Sequence, residues 1–578
     1  MLVSSRHLRR AATLTVAASL TVLLPGPAAN AVVQTHRAPQ GTVSVRVLSF
    51  NDLHGNLQPP AGSSGRVALS PTATVDAGGA AYLATHVRLL QAAADHALVL
   101  STGDNIGASP LASALFHDEP TIAALNAIGV RASVVGNHEF DEGYAELNRI
   151  QRGGCHPTDG CQFRNTFPGA DFPYLGANVT RQDGRPALLP FTVQVRGGVP
   201  VGVIGVTLKD LPDVVLPSGV AGLRFGDEVR AINRTSQLLQ SVGVKAQVVL
   251  LHQGDQTSPT TIGPNSCSLG VDTPAQAIAR RATSRVDAVF AGHTHQAENC
   301  TVVDPAGQPR PLIQGLSFGR LVSVVDLRID ARSRDVLRDQ TVAENVVVTR
   351  DVAPDPAVSA IVDRAVQESG PIADRPIGSI SQDLVKGPDT LAEKPLGDVI
   401  ADAQLAATRS NGAQVAITNP GGIRADLAYA SSKAGEGDGV VTYGEAFAVQ
   451  PFSNIMQTIT LTGAQLKQVL EEQRKDGVDD TATTWLQVSS TLHYTWTRSA
   501  AFGSRVSNLT IAGTPVDPSA GYRVSVNNFL AAGGDGFGTF TAGTDLTGGP
   551  IDLDAFTAYL TAHPNLSAPP SDRITLRS

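Results

Sequence analysis

Charge is scarce in this 578-residue chain: charged side chains make up 17% of it, and the formal net charge is −8. No basic block stands beyond the first few residues. A protein that grips a nucleic-acid backbone collects lysine and arginine along it, so no nucleic-acid partner is expected, although a local positive site for a small anion stays open. Cysteine is also rare. There are four, and neither close pair has the CxxC spacing of a thiolate metal site. Disulfides are the alternative in an exported chain. Cys155 and Cys161 flank a Pro-Thr-Asp-Gly turn, while Cys267 and Cys300 bracket a longer segment. Four cysteines allow three pairings, and proximity favours 155–161 with 267–300. Long apolar runs are confined to Ala11–Leu24. That run follows Arg6, Arg9 and Arg10, is short for a membrane span, and precedes Ala29-Asn30-Ala31. It reads as a cleaved signal peptide over residues 1–31. No lipobox cysteine and no hydrophobic C-terminal tail follow it, so the expectation is a secreted or extracellular protein without a stable membrane anchor. Association with the cell envelope and the oligomeric state are left open. Repeats and low-complexity tracts are missing too.

What is present is too long for one hydrophobic core, so two domains are expected. From about Val43 to Val348, apolar β-rich runs (Val43–Phe50, Ala97–Thr102, Ser133–Gly136, Val199–Val206, Gln247–His252, Asp287–Ala291) alternate with helix-like stretches such as Ala80–Ala94, Pro120–Ala127 and Thr273–Arg281. Such alternation implies a layered α/β domain, here residues 43–348. Residues 349–376 read as a helical linker around Pro356–Gln367. Residues 377–576 interleave helices (Leu396–Thr408, Gly463–Lys475) with strands (Val415–Asn419, Gln457–Leu461, Leu492–Thr497, Arg523–Val526). They read as a smaller α+β domain.

Five polar clusters each begin where an apolar run ends: Asn51-Asp52-Leu53-His54, Gly103-Asp104-Asn105, Gly136-Asn137-His138-Glu139, Leu251-His252 and Gly292-His293-Thr294-His295. In open α/β sheets, ligands bind at the carboxyl ends of the strands, so separate loops can converge on one point. Singly, each cluster is weak, since a histidine after a strand is more often a loop or core residue. Together they form a donor set for two divalent metals. Asp52, His54, Asp104 and His295 would hold one, and Asp104, Asn137, His252 and His293 the other, with the Asp104 carboxylate bridging a pair about 3.5–4 Å apart. Nitrogen and oxygen donors without thiolate suit Zn, Mn, Fe or Co better than Ca or Cu(I). Such a pair points to hydrolysis of phosphate esters. The histidines at 36, 86, 96, 117, 156, 493 and 563 lack these settings and read as structural.

The motifs D-x-H, GD-N, GNHE, H and GH-x-H resemble those of calcineurin-like metallophosphoesterases. Asn51-Asp52-Leu53-His54-Gly55 and Gly136-Asn137-His138-Glu139-Phe140-Asp141 resemble, more narrowly, the secreted 5′-nucleotidase family. That resemblance implies an αββα metallophosphoesterase sandwich followed by a smaller α+β nucleotide-binding domain. It implies that His138, oriented by Asp141, assists the phosphoryl transition state or leaving group. Read without the family, Asp141 is a candidate N-cap for a helix over Glu142–Gln151. The segment Asn419-Pro420-Gly421-Gly422-Ile423-Arg424 resembles one in which Arg contacts the substrate's phosphate or a nearby carboxylate and Asn helps bind the nucleoside. Phe452 and Phe537 resemble the two rings that sandwich a nucleobase, and Phe537, set among glycines, reads as an exposed platform. Three departures stand out. His295 occupies a position where some members carry Gln, Pro420 replaces Gly, and the stretch from Lys386 to Lys394 has no arginine. The resemblance implies a nucleoside 5′-monophosphate as small-molecule substrate and a domain rotation between open and closed forms. The alternatives are a 2′,3′-cyclic nucleotide 2′-phosphodiesterase, a UDP-sugar hydrolase, or a secreted binding protein that keeps metals for structure.

Overall fold

Two six-stranded sheets stand face to face in the N-terminal part of the chain. The computed structural model describes residues 41–578 apart from 61, 217, 256–262, 268–272, 389–390, 432–434 and 475–482. The expected signal peptide lies outside the described residues. The first sheet has the order Val342–Val347, Leu321–Asp330, Thr42–Phe50, Ala97–Ser101, Ser133–Val134 and Tyr174–Leu175. The second has the order Ala297–Val303, Pro309–Gly315, Ala288–Ala291, Ala246–His252, Val199–Thr207 and Phe191–Arg196. Val45, Val47, Leu98 and Leu100 of one sheet share a core with Val203, Val248, Leu250 and Phe290 of the other. Helices Ala80–Ala92, Glu119–Ile128 and Pro356–Ala373 cover the outer face of the first sheet. Glu228–Ser241 and Pro274–Arg281 cover that of the second. The order of layers is therefore α, β, β, α.

Burial on both faces explains the composition of the central strands. In Ala246–His252 every residue is buried, so its middle, Val248–Leu251, is a continuous apolar run rather than an alternating one. The inner strands are parallel: Thr42–Phe50 pairs with Ala97–Ser101, and Ala246–His252 with both Val199–Thr207 and Ala288–Ala291. Their carboxyl ends consequently share one edge, and all five polar clusters stand there.

The C-terminal part forms a five-stranded sheet (Gln487–Val488, Val415–Thr418, Gly521–Asn527, Ile455–Thr462, Thr544–Ile551) and a four-stranded one (Thr514–Pro515, Val506–Ile511, Leu492–Thr497, Ile574–Arg577). Helices Pro395–Thr408, Gly463–Glu471 and Asp552–Ala562 accompany them. The helix at Gly463 starts where it does because Thr462 and Gln465 form a reciprocal capping box. Leu111, from the N-terminal part, is buried in one apolar cluster with Ile380, Leu396, Val399 and Ile423 of the C-terminal part. Cys155 pairs with Cys161 and Cys267 with Cys300, as proximity in sequence indicates. Among the described residues, no helix is long and apolar enough to cross a membrane.

The helix expected at Glu142 begins instead at Tyr144, with Gly143 as its N-cap. Asp141 closes the short 3-10 turn His138–Phe140, which frees its carboxylate for another partner.

Candidate active site

Asp52 and His54 leave the strand that ends at Phe50, and Asp104 leaves the one that ends at Ser101. Asn137 and His138 follow Val134, His252 ends its own strand, and His293 and His295 follow Ala291. Five of these residues turn inward through left-handed backbone: Asp52 (φ 51°), His54 (46°), Asp104 (48°), His293 (75°) and His295 (58°). That conformation is unusual for residues with a side chain and marks loops held by their surroundings. Glu139 is one of the holders. Its carboxylate accepts from the backbone N–H of Asp104 (2.9 Å), Asn105 (2.8 Å) and Gly136 (2.5 Å), and so ties two motif loops together. Gly136 has no alternative, because a Cβ there would collide with the Asp104 carboxylate and the His252 ring. The backbone N–H of His293 donates to both oxygens of Asp52, each at 3.1 Å.

Backbone carbonyls fix the imidazole tautomers. His54 Nδ1 donates to Gly107 O (2.9 Å) and His252 Nδ1 donates to Thr102 O (2.7 Å), which leaves both Nε2 lone pairs facing inward. His54 Nε2 lies 3.1 Å from His295 Nε2, and His295 Nε2 lies 3.6 Å from Asp52 Oδ1. Asp104 Oδ2 stands 3.1 Å from His252 Nε2 and 3.8 Å from His54 Nε2, between the two groups. Asn137 Oδ1 is 2.9 Å from His293 Nδ1 and 3.3 Å from His252 Nε2. Asp52, His54 and His295 form one cluster with metal-ligand spacing, and Asp104, His252 and His293 form another.

The electrostatics suit cations at this position. Burial pushes Asp52 up to about 7, with the attraction of His252 opposing and the repulsion of Asp104 adding to the shift. Burial pulls His293 down to about 3, reinforced by repulsion from His252. Burial also holds His54 and His295 well below the usual histidine value, Arg424 adding to the effect at both. His252 is the exception: burial opposes its charge, but attraction to Asp104 outweighs this and raises it to about 10, so a cation there would take the place of the Nε2 proton. Three imidazoles held neutral and a fourth paired with a carboxylate, packed against buried Asp52 and Asp104, fit two divalent cations, the class of cofactor that metallophosphoesterases use.

His138 stands beside the clusters. Its backbone N–H donates to Asp104 Oδ1 (2.9 Å) and its Nδ1 to Asp141 Oδ2 (2.8 Å). Burial lowers its pKa, but attraction to Asp141 and Asp104 outweighs this, and the net shift is upward. Phe452 from the C-terminal part stacks on its ring, with centroids 5.6 Å apart and planes 20° apart.

A cavity of about 350 Å³ opens over these groups. One wall carries Asp104, Asn137, His138, His293 and His295; the other carries Asn419, Arg424, Phe452, Phe529 and Asp535. Arg424 reaches across, its Nη2 3.4 Å from His54 Nε2. Asn419 lines the cavity with both ends of its amide engaged, donating to Asp535 Oδ2 (2.8 Å) and accepting from Asn527 Nδ2 (3.1 Å). It thereby holds Asp535, a half-buried carboxyl raised by desolvation and partly restored by that hydrogen bond. Lys386, in the stretch that lacks arginine, bears electrostatically on His295.

Phe537 corrects the sequence reading. Instead of an exposed platform it is 1% exposed, packed in the C-terminal core near Phe540. The second ring in the cavity wall is Phe529. The glycine run serves it: a Cβ at Gly534 would strike the Phe529 ring, so the loop must be bare there for the ring to lie against it. Asp535, on the same loop, had no signal of its own in the sequence beyond those glycines.

Comparison with known proteins agrees with this arrangement. The calcineurin-like phosphoesterase family matches residues 45–297, and the 5′-nucleotidase C-terminal domain family matches residues 376–542. The Bacillus subtilis (strain 168) protein named endonuclease YhcR is 32% identical over 90% of this chain, which spans only 40% of that protein. The cell wall protein Lmo0130 of Listeria monocytogenes is 32% identical over 94% of the chain and 70% of its own length. The solved structure of a 5′-nucleotidase precursor from Thermus thermophilus superposes with a TM-score of 0.75 at 26% identity, covering 93% of this chain and 99% of that one. With both domain families matched in order and a relative covered over most of its length, the chain belongs to the 5′-nucleotidase family, metallophosphoesterases with a 5′-nucleotidase C-terminal domain.

Proposed function

We propose that this protein is an exported two-metal phosphohydrolase that converts nucleoside 5′-monophosphates to nucleoside and phosphate. The observation that carries the reading is the single cavity whose one wall holds the ligand clusters and His138, and whose other wall holds Arg424, two aromatic rings and the Asp535 carboxyl. Asp52, His54, Asp104 and His295 are assigned to one cation; Asp104, Asn137, His252 and His293 are assigned to the other. When bound, such a pair neutralises charge on phosphoryl oxygens and activates water for in-line attack. His138, with Nδ1 committed to Asp141, keeps Nε2 for the substrate and donates a proton to the departing ester oxygen. The Arg424 guanidinium binds phosphate oxygens, for which its planar fork is suited. Phe452 and Phe529 stack the base, and Asp535, held by Asn419, accepts from sugar hydroxyls. A cavity of about 350 Å³ suits one nucleotide better than a polymer, although one relative is named an endonuclease. Two disulfides favour an oxidising compartment, consistent with export.

The test is phosphate release by metal-loaded protein from AMP, 2′,3′-cyclic AMP, UDP-glucose and a chromogenic phosphate ester, with and without chelator. A coupled phosphatase reports cleavage of the cyclic and sugar nucleotides. Chelator-sensitive turnover fastest on AMP is expected. Fast cleavage of another substrate with AMP barely touched would keep the metal assignment and overturn that of the C-terminal wall.

A further inference from the structure

Two histidines that the sequence leaves as structural meet away from the cavity. His117 and His156 stack with ring centroids 3.8 Å apart and planes 15° apart. The same Asp159 oxygen, Oδ2, lies 2.8 Å from His117 Nε2 and 3.3 Å from His156 Nδ1. His156 Nδ1 accepts from the Asp159 backbone N–H at 3.2 Å, a hydrogen bond that an ion on Nδ1 would replace. On the other side of His117, Nδ1 lies 2.9 Å from Glu142 Oε2. The His117, His156 and Asp159 donor atoms all fall within 4.8 Å of one another.

From this geometry we infer a third cation site, in which His117 Nε2, His156 Nδ1 and Asp159 Oδ2 bind a divalent transition metal of the zinc type. Two imidazoles with one carboxylate oxygen favour Zn²⁺ over Ca²⁺ or Mg²⁺, which prefer all-oxygen sites. Glu142 supplies the outer partner of a carboxylate–histidine–metal arrangement: it accepts from Nδ1 and keeps Nε2 aimed at the ion. The hydrogen bond to Glu142, with that to Asp159 adding and burial opposing, raises His117 to about 9. Without an ion the ring therefore holds a proton between two carboxylates, and a dication would take the place of that proton on Nε2.

The site is also preorganised. His156 and Asp159 sit inside the loop closed by Cys155–Cys161, and His156 and Gly160 exchange backbone hydrogen bonds across it. His117 is held at a φ of 49° in a turn whose backbone N–H donates to Ala114 O. The His117 and His156 side chains are 18% and 17% exposed and that of Asp159 is 50% exposed. An ion can therefore enter from solvent and keep at least one position for water. The ion would join two chain segments, the turn at His117 and the disulfide loop, and Glu142 would tie the stretch after the GNHE motif to them through His117. None of its ligands belongs to the catalytic clusters, so the inference stands or falls separately from the proposed activity.

The experiment equilibrates chelator-stripped full-length protein with Zn²⁺ at micromolar free concentration and counts bound metal by elemental analysis. Co²⁺ absorption provides a second readout. Wild type should hold one equivalent more than His156→Gln, and His156→Gln should keep the wild-type turnover of a chromogenic phosphate ester. Glu142→Gln, which keeps all three ligands, should weaken the extra equivalent by about 10–100-fold and leave the others unchanged. Far-UV circular dichroism of the stripped variants confirms that they fold. Equal metal content in wild type and His156→Gln, or an extra equivalent that appears only at millimolar Zn²⁺, would overturn the site.

Discussion

On the N-terminal wall of the cavity, Asp52, His54, Asp104 and His252 are each 0–1% exposed and held by backbone carbonyls, backbone amides and the Glu139 carboxylate. On the C-terminal wall, Arg424, Phe452 and Phe529 are only half-buried, and they project from a turn, a loop and a four-residue helix. The difference fits the roles proposed for the two walls. Bond cleavage requires donor atoms fixed to fractions of an ångström, so those residues come from the rigid ends of strands. Recognition of a flat base through stacking tolerates small shifts, so a loop, a turn and a short helix suffice.

If that contrast is right, damage to the N-terminal wall should be severe on every substrate, and damage to the other wall should be selective. Asp104→Asn should have the largest effect, lowering kcat/KM by roughly 10³-fold or more for AMP and for a chromogenic ester alike. Substantial residual turnover in steady-state assays would remove the bridging role. Glu139→Gln touches no substrate, but its amide can no longer accept all three backbone N–H groups. Metal affinity should fall by about 10–100-fold, with activity partly recovered at high metal concentration. A loss that no metal concentration relieves would show that Glu139 supports folding alone. The smallest and most selective effect belongs to Phe452→Ala combined with Phe529→Ala. KM for AMP should rise by about 10–100-fold, the equivalent of roughly 1–3 kcal/mol of stacking, while turnover of the chromogenic ester stays near wild type. Phe537→Ala is the contrasting control: it empties a core position and should lower the melting temperature without discriminating between substrates.

The two walls also differ in how far the sequence foretells them. The N-terminal donors sit at the end of an apolar strand (His252) or two to four residues beyond one, so local pattern alone brings them to one sheet edge. The left-handed turns then aim them through short-range geometry. The C-terminal aromatics depend on tertiary packing. Phe537 and Phe529 flank the same glycines, and only the folded chain reveals which ring the bare backbone of Gly534 accommodates. Strands such as Pro309–Gly315 and Leu321–Asp330 escaped detection because their charges are buried in pairs or against carbonyls. Arg310 donates to the carbonyls of Val286, Ala282 and Thr283, and Asp326 pairs with Arg46. Such residues read as loop until their partners are known. The linker helix extends to Ala373, past the expected Gln367, because its buried side, through Ala365 and Ser369, continues to find cover. His117 and His156 carried no signal, since a turn and a disulfide loop far apart in sequence bring them together.

The left-handed backbone at Asp52, His54, Asp104, His293 and His295 has an evolutionary consequence. Each such conformation costs on the order of 1–3 kcal/mol, and the rest of the fold must supply that stability. Asparagine and glycine adopt the conformation more readily than histidine or aspartate. Selection for heat resistance alone would therefore drift toward Asn or Gly at Asp52, His54, Asp104, His293 and His295, yielding sturdier proteins stripped of their ligands. Only continued demand for turnover keeps these positions occupied by donors.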